Sequence, residues 1–394
     1  MSVEIRPVTS RRDLRAFVEL PYRLYATERR WVPPLRFDVR RRLNRSRNPF
    51  FRHARAQYLL ARRGGRVVGR ICAHVDDNLN RFQDNAWGLF GWFECEDDAE
   101  VASALLGAAE AWLREQDRDR MVGPFDFTTN DPCGILVEGF ERRPVVLNPW
   151  TPPHYPALLE GAGLEKAMDL LMWELRIEGR DRVHSAIWEM ADKVEAHHDI
   201  VCRPMRKADM HAEVERFLEV YNAAWERNWG FVPLSDDEVR AYARELKPLL
   251  DEHWAFVAER RHDGEVVGAA LTLPDYNQVL ERMGGRVLPT GWLTFLRHRR
   301  RIDAVRVFAL GVKPGYQHTG IAARFYQMHF DSAEVTPQKH GEMGWILEIN
   351  RPMNRAMEGM GGSVVSRYRL YERRFRDDAT PAWPEGAQAW GEVS

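Results

Sequence analysis

Apolar residues in this chain follow two patterns: short runs typical of strands, and stretches with apolar positions three and four apart that are typical of helices. Runs rich in β-favouring residues predict strands at 4–8, 168–175, 200–205 and 364–372, and the helical spacing predicts helices at 17–24 and 214–225. Gly-containing turns at 63–65 and 262–264, each between alternating segments, predict two hairpins. The order of these elements predicts a mixed α/β (α+β) fold.

The same landmarks occur twice, in the same order and about 198 positions apart. The pairs are Arg6-Pro7 with Arg203-Pro204, Gly69 with Gly268, Gly161 with Gly359, and Glu174 with Glu372. Several matches at nearly constant spacing are typical of a duplicated domain. We therefore predict a first domain over 1–178, a linker helix over 179–199, a second domain over 200–376 and a flexible tail over 377–394. The linker carries apolar residues on one face at 183, 187, 190 and 194.

One segment of the second copy predicts a strand, a turn and the start of a helix. Residues 306–312 form a nearly continuous β-favouring run, Pro314 and Gly315 interrupt it, and apolar residues recur at helical spacing after Gly320. The loop therefore lies at a helix N-terminus, where backbone N–H groups lack intrahelical partners and the helix dipole favours an anion. The sequence predicts a phosphate-binding loop, and the alternative is an ordinary strand-to-helix turn.

The pattern Gln-x-x-Gly-x-Ala at 317–322, directly after Leu-Gly-Val at 310–312, resembles the pyrophosphate motif of the GNAT superfamily of acyl-CoA N-acyltransferases. The resemblance implies two tandem GNAT-like domains, each a mixed, mostly antiparallel sheet flanked by helices, and acetyl-CoA or another acyl-CoA as cosubstrate. It also implies a set of cofactor-binding residues, namely Leu310, Gly311, Val312, Gln317, His318, Thr319, Gly320, Ile321, Ala322 and Asn350.

The first copy differs at the corresponding helix start, where it has Glu94, Glu96, Asp97 and Asp98. Such carboxylates stabilise a helix N-terminus but repel a pyrophosphate, so we expect that this copy has lost acyl-CoA binding. The segment 123–140 contains Thr128, Asn130 and Glu138, which either bind a ligand or stabilise a loop. The phrases WVPPL, NPFF and GILVEGF in this half resemble tandem GNAT-like proteins, a likeness that implies no substrate.

Acyl transfer to an amine needs a proton acceptor, a donor for the oxyanion and an acid for the leaving thiolate. The run 344–350 predicts a strand that carries Glu348, which is either the general base or a structural ion-pair partner, and Glu342 is a second candidate. Family members commonly carry a tyrosine acid where this chain has Met357. Either Tyr368 or Tyr371 is the acid instead, or the thiolate leaves without a dedicated acid. By the same resemblance, the backbone N–H near Val312 would polarise the thioester.

The acceptor side of a GNAT cleft corresponds to the stretch 221–233. Its candidate substrate-binding residues are Asn222, Trp225, Asn228 and Trp229, and the two Trp side chains share one helix face either as core or as a substrate wall. The basic run Arg297, Arg299, Arg300 and Arg301 is either a solvated loop or a site for an acidic acceptor or the cofactor's 3′-phosphate.

Composition limits the function further. The net charge of -1 predicts no general attraction to nucleic acid or anionic membranes, and four isolated cysteines fit a reducing cytoplasm without a metal site. No apolar run approaches membrane-spanning length. We expect a cytoplasmic N-acyltransferase that acts on a small-molecule or peptide amine. The alternatives are an aminoacyl-tRNA-dependent transferase and a non-catalytic acyl-CoA-binding module.

Overall fold

The computed structural model describes residues 2–177, 183–226, 228–247, 249–376 and 382. The predicted flexible tail over 377–394 lies outside the described residues except for Ala382, and so do the linker residues 179–182. Among the described helices, none combines the length and the apolar character that crossing a bilayer requires.

The first copy contains seven strands and five α-helices in its described part. Its strands are β1 (Glu4–Pro7), β2 (Ala54–Arg63), β3 (Arg66–Asp76), β4 (Trp87–Cys95), β5 (Arg120–Gly123), β6 (Ile135–Glu138) and β7 (Glu165–Arg176). Its helices are α1 (Arg11–Leu24), α2 (Arg36–Arg42), α3 (Asp77–Phe82), α4 (Ala99–Glu115) and α5 (Tyr155–Gly161). The predicted first hairpin is confirmed, since β2 and β3 pair antiparallel across the turn at Gly64–Gly65.

The second copy follows the linker helix α6 (Ser185–His197). Its strands are β8 (Ile200–Pro204), β9 (Ala255–Arg260), β10 (Val266–Pro274), β11 (Ala304–Val312), β12 (His340–Leu347) and β13 (Ser363–Arg374). Its helices are α7 (Met210–Trp225), α8 (Asp236–Leu246), α9 (Asn277–Met283), α10 (Gly291–His298), α11 (Ile321–Val335) and α12 (Arg351–Gly359). On the predicted apolar face of the linker, Val183 and Val194 are buried, whereas Met190 is half exposed.

The described strands form one 13-stranded sheet in the order β1-β2-β3-β4-β5-β13-β7-β12-β11-β10-β9-β8, with β6 on β13. This order is symmetric about the β13–β7 pair, so corresponding strands of the two repeats occupy corresponding places in the sheet. The copies exchange their last strands, because β5 of the first copy pairs with β13 and β12 of the second pairs with β7. The two halves therefore share a continuous sheet.

Hydrophobic clusters cover both faces of this sheet. On one face α6, α11 and α12 pack on the second copy, with Val194, Phe325 and Met357 buried. On the other face, a central cluster combines residues of both copies, including Cys133, Trp229 and Tyr368. This central cluster holds residues 125–150 of the first copy against the end of α7. The site described below is formed at this contact.

Candidate functional site

The strands β11 and β12 separate soon after they begin to pair. Their parallel register joins Ala304–Val307 to His340–Met343, and no further pairs between them follow in the described sheet. Beyond that point β11 stays paired with β10 as far as Val312, and no described strand pairs with its other edge over its last five residues. We call this opening the split. Free N–H and C=O groups along it can pair with an extended ligand.

The predicted cofactor loop lies at the end of β11. Gly320 is the N-cap of α11 and has a left-handed backbone with φ of 88°. Gln317 and His318 are exposed, whereas Thr319 donates its hydroxyl to Tyr316 O at 2.6 Å. The linker helix closes one side of the loop, because a Cβ on Gly320 would lie 2.7 Å from Met190 O.

The structure thus brings two groups of predicted residues together, those at 310–312 on β11 and those at 317–322 at the start of α11. Asn350 follows β12 and caps α12, since its Oδ1 accepts from Met353 N at 3.2 Å. Its contact with a cofactor stays a prediction.

A pocket opens on the opposite face of the sheet, over the split, and both copies form it. It encloses about 70 Å³. The second copy contributes Tyr221, Trp225, Asn228, Trp229, Phe231, Arg306, Phe308, Ala309, Gly344 and Trp345, and the first copy contributes Thr129, Asn130, Asp131 and Leu147. Three of the four residues predicted for the acceptor side therefore lie in one pocket.

The fourth, Asn222, does not line the pocket. Its Oδ1 instead accepts from Leu234 N at 3.2 Å and orders the loop after α7. Trp225 reaches the split directly, because a Cβ on Gly311 would lie 2.2 Å from its ring. Trp229 is 7% exposed and donates its indole N–H to Ala382 O at 3.0 Å. Both Trp side chains are therefore packed as well as pocket-lining.

Arg306 places a buried guanidinium at the base of the pocket. The residue is 4% exposed and donates from Nη1 to Val146 O at 2.6 Å and from Nη2 to Gly344 O at 3.1 Å. Among the described residues, no carboxylate lies within 4.0 Å of the Arg306 guanidinium, the distance that defines an ion pair. Burial lowers the pKa of Arg306, with Tyr368 and Glu342 among the groups that oppose the shift. Arg306 is not among the site residues predicted from the sequence. The feature that could have identified it is a single arginine within an otherwise apolar strand.

Asp131 is the acidic residue of the pocket. Its Oδ1 accepts from Arg42, and its Oδ2 accepts from Thr128 N at 3.1 Å. Burial raises the pKa of Asp131, while Arg42 opposes the shift. Sequence reasoning selected the segment 123–140 but missed this residue.

The neighbouring candidates in that segment have structural partners. Asn130 Oδ1 accepts the hydroxyl of Tyr221, and the Thr128 hydroxyl donates to Asp131 at 3.2 Å. The exposed Glu138 forms an ion pair with the half-buried Arg367 at 3.1 Å. These contacts match the loop-stabilising alternative for Thr128 and Glu138, whereas Asn130 also lines the pocket.

Glu348 does not lie inside the strand, and that expectation was wrong. The strand β12 ends at Leu347, and Glu348 follows in a turn. Its Oε2 lies 2.8 Å from Lys166 Nζ, and its Oε1 accepts from Asp169 N at 3.0 Å. These contacts fit the ion-pair alternative, and they direct the carboxylate towards β7 rather than β11. The general-base role of Glu348 stays a prediction that this geometry does not favour.

The other catalytic candidates lie below or away from the pocket. Tyr368 is 3% exposed in the central cluster, and burial raises its pKa. Tyr371 instead donates to Glu160 Oε1 at 3.1 Å. Glu342 is beside Arg306 in the β11–β12 register, and burial raises its pKa to about 7 although Arg142, at 3.2 Å, opposes the shift. Neither tyrosine is a pocket-lining residue.

The corresponding split in the first copy is filled by the chain itself. Here β4 and β5 pair only from Trp87 to Leu89. Beyond that, Phe125 N donates to Phe90 O at 2.7 Å, Trp92 N to Asp126 Oδ1 at 2.8 Å and Cys95 N to the Tyr155 hydroxyl at 2.9 Å. Groups that are free along β11 are therefore occupied along β4.

The carboxylates at the start of α4 in the first copy also have hydrogen-bond or ion-pair partners. Asp98 caps α4 by accepting from Val101 N at 3.1 Å, and Glu96 pairs with Arg66 at 2.6 Å. Glu94 is hydrogen-bonded to Tyr25 and Tyr155. The predicted capping role therefore holds for Asp98, whereas Glu94 and Glu96 bond to side chains instead.

The fold is similar to solved GNAT structures. A tandem GNAT protein from the clavulanic acid biosynthesis pathway has a TM-score of 0.55 at 13% identity, covering 97% of this chain and 99% of that one. A GCN5-related N-acetyltransferase from Anabaena variabilis has a TM-score of 0.52 at 10% identity, covering 94% and 72%. The chain therefore has the fold of these GNAT structures, which confirms the predicted fold class and the structural resemblance.

Two curated proteins are similar over nearly their whole length. The bacterial ceramide synthase of Caulobacter vibrioides is 34% identical over 381 residues, which cover 94% of this chain and 97% of that protein. Protein YghO of Escherichia coli is 32% identical over 379 residues, which cover 94% and 95%. No family model matches the chain. The chain belongs to the family of these two proteins.

Proposed function

We propose that this protein transfers a fatty acyl group from acyl-CoA to the amino group of a long-chain amine, at the split of its second copy. A ceramide is a long-chain amino alcohol that carries a fatty acyl group on nitrogen. Similarity to a protein named as a ceramide synthase, over 97% of that protein, supports an acceptor of this class. The sequence leaves the donor as acetyl-CoA or another acyl-CoA, and the same similarity supports a longer acyl group than acetyl.

The observation that carries the proposal is the arrangement around the split. The free edge of β11 leads to the amides at the start of α11, and the pocket lies on the other face of the same strand pair. An acyl-CoA would pair its pantetheine arm with the edge and place its phosphates at the loop. The amine would then reach the thioester from the pocket.

Two charged side chains in the pocket suit the reaction. Asp131 is ion-paired with Arg42, but unlike Glu348 it lines the pocket. It would hold the amine and accept its proton, because burial raises its pKa and a raised pKa makes a carboxylate a better base near neutral pH. Arg306 would stabilise the negative charge that develops on the carbonyl oxygen. Glu342, with a pKa of about 7 beside Arg306, is a second acceptor for the proton.

The size of the pocket also bears on the acceptor. A volume of about 70 Å³ is well below that of typical small-molecule sites, which is roughly 300–1,000 Å³. The pocket would therefore take the reacting end of the amine, and the hydrocarbon chain would extend past Leu147, which is 40% exposed at the rim.

The test is acyl transfer by the purified chain with acetyl-, octanoyl- and palmitoyl-CoA against sphinganine, 3-oxosphinganine and short amines. Release of the CoA thiol and the mass of the product are measured together. We expect an N-acylated long-chain base from palmitoyl-CoA and much slower transfer to short amines. Binding of acyl-CoA without turnover of any amine would contradict the proposal and favour the non-catalytic alternative.

Asp131→Asn provides the residue-level test. We expect kcat to fall by roughly 10² to 10⁴ with little change in acyl-CoA affinity, since proton transfer is lost while the cofactor side is intact. Glu138→Gln in the same segment is the matched control, because Glu138 is 60% exposed in its side chain and lies outside the pocket. Equal kcat in Asp131→Asn and the unmodified chain would reject the role of Asp131.

A further inference from the structure

The helices α9 and α10 form an excursion between β10 and β11 that exposes an unusual amount of apolar surface. Leu288 is 73% exposed, Trp292 46%, Leu293 51% and Leu296 50%. These are four of the nine large apolar side chains that are exposed in the described part of the chain. Contiguous apolar surface of this kind marks interaction sites on soluble proteins.

The apolar residues of α10 share one helix face. Trp292, Leu293, Leu296 and Arg297 lie within less than half a turn of one another around the helix axis, and all four are exposed. The opposite face is held in place, because Gly291 is buried and the ring of Phe295 stacks on Tyr276 at 5.9 Å. The apolar face of α10 is therefore presented outwards by a fixed helix.

Positive charge is concentrated around this face. Residues 282–302 contain no Asp or Glu but six arginines, all of them exposed: Arg282, Arg286, Arg297, Arg299, Arg300 and Arg301. Arg282 reaches Glu281 at 3.9 Å, and among the described residues the other five have no carboxylate within ion-pair distance. The rest of the chain is correspondingly acidic, since the net charge of the whole is -1. The local charge is thus unneutralised and lies beside exposed Trp and Leu side chains.

We propose that α10 and the arginines around it dock this protein on the surface of a bilayer that contains anionic phospholipids. A helix with Trp and Leu on its outer face and arginines beside it lies in the plane of the interface, where apolar side chains enter the acyl boundary and cations attract anionic headgroups. This proposal departs from the expectation based on net charge, which averages a basic patch with an acidic remainder. The docking stands on these residues and does not depend on acyl transfer.

The helices that carry the patch are also connected to the pocket. The excursion returns to the sheet at Ala304, two residues before Arg306, and Asn277 Nδ2 donates to Pro144 O at 2.8 Å, close to Leu147 at the pocket rim. If the proposed function holds, an amine embedded in the same membrane would reach the pocket from this side.

The experiment is co-sedimentation of the full chain with phosphatidylcholine vesicles, with and without phosphatidylglycerol. We expect binding only to the anionic vesicles and weaker binding at high salt. The double change Trp292→Ser with Leu296→Ser, and the triple change of Arg299, Arg300 and Arg301 to Gln, should each lower the partition coefficient at least roughly tenfold. Val335→Ser is the matched control, because Val335 is 72% exposed at the end of α11 and far from the patch in sequence.

Each outcome decides the proposal once thermal melting shows that the variants are folded. No binding to anionic vesicles, or equal binding to neutral ones, overturns it. Loss of binding in the arginine variant alone would also overturn it, since a purely electrostatic site of that kind fits a polyanion such as nucleic acid. Reduced binding in both variants with an unchanged Val335→Ser control supports it. Vesicle binding is measured in the absence of acyl-CoA and amine. A failure to bind vesicles is therefore distinguishable from a failure of the proposed acyl transfer.

Discussion

Arg306 and Asp131 bring opposite charges to one pocket from different copies of the domain. Burying a guanidinium costs several kcal/mol unless hydrogen bonds or an anion compensate. Arg306 has two backbone carbonyl acceptors and no ion-paired carboxylate in the described part of the chain, so part of that cost is uncompensated. Such groups concentrate at functional sites, where the ligand supplies the missing charge. Arg306 is therefore the side chain of the pocket whose charge a bound ligand would complete.

Glu348 tests the distinction between a base and an ion-pair partner. Because Lys166 is 40% and Glu348 28% exposed in their side chains, the pair contributes about 0.5–1 kcal/mol. We expect Glu348→Gln to lower the melting temperature slightly and to leave kcat of acyl transfer unchanged. A large drop in kcat at an unchanged melting temperature would restore the general-base role.

At the scale of elements, the contact between α6 and the start of α11 determines the shape of the cofactor loop. Gly320 and Gly315 both have left-handed backbones, with φ of 88° and 89°, so alanine strains either position similarly. Only at Gly320 does a Cβ collide with the linker helix, and at Gly315 nothing lies within 4 Å. We expect Gly320→Ala to weaken acyl-CoA binding at least roughly tenfold relative to Gly315→Ala, as measured by calorimetry.

Equal affinities in the two alanine variants would show that the contact with Met190 does not shape the binding loop. A melting temperature measured for each variant separates loss of affinity from loss of folded protein.

The sequence predicts these elements well where the signal is local. Hairpins at Gly64–Gly65 and around Asp263, and the helix start at Gly320, follow from periodicity and from turn residues. Exchange of β7 and β13 is not predictable in this way, because the two strands occupy equivalent repeat positions and either could close either half. Asp131 was missed for a related reason: its place in the pocket depends on a loop of one copy that packs against the other.

At the scale of the whole molecule, a buried ionic cluster joins the copies. His53 of the first copy lies 2.9 Å from Asp76 and 3.3 Å from Glu238 of α8. Burial alone would lower the pKa of His53, but these two carboxylates outweigh it and raise the pKa to about 9. The stabilisation is therefore complete below a pH of about 6.5, the unfolded pKa, and is lost as pH rises through about 9.

We expect His53→Gln to destabilise the protein by on the order of 1–2 kcal/mol more at pH 6.5 than at pH 9.5, after allowance for solvent screening. Thermal melting across this range measures the difference. The control is His262→Gln, since His262 pairs with Asp199 on the exposed surface at 2.9 Å. If the difference in melting temperature between the unmodified chain and His53→Gln stays constant with pH, the assigned role of protonated His53 is contradicted.

The two copies share a sheet but differ at their splits. In the first copy, Phe125, Asp126 and Tyr155 occupy backbone groups of β4, and acidic residues surround the start of α4. In the second, the edge of β11 is free and a glycine opens α11. The molecule is accordingly expected to use one copy for the acyl donor and both copies for the acceptor pocket.

The stoichiometry of acyl-CoA binding to the intact chain tests this account most directly. Calorimetric titration should give one site per polypeptide, and Gly320→Glu should remove it by bulk and charge together. Two sites per chain, or one site that survives Gly320→Glu, would contradict the assignment of the acyl donor to the second copy.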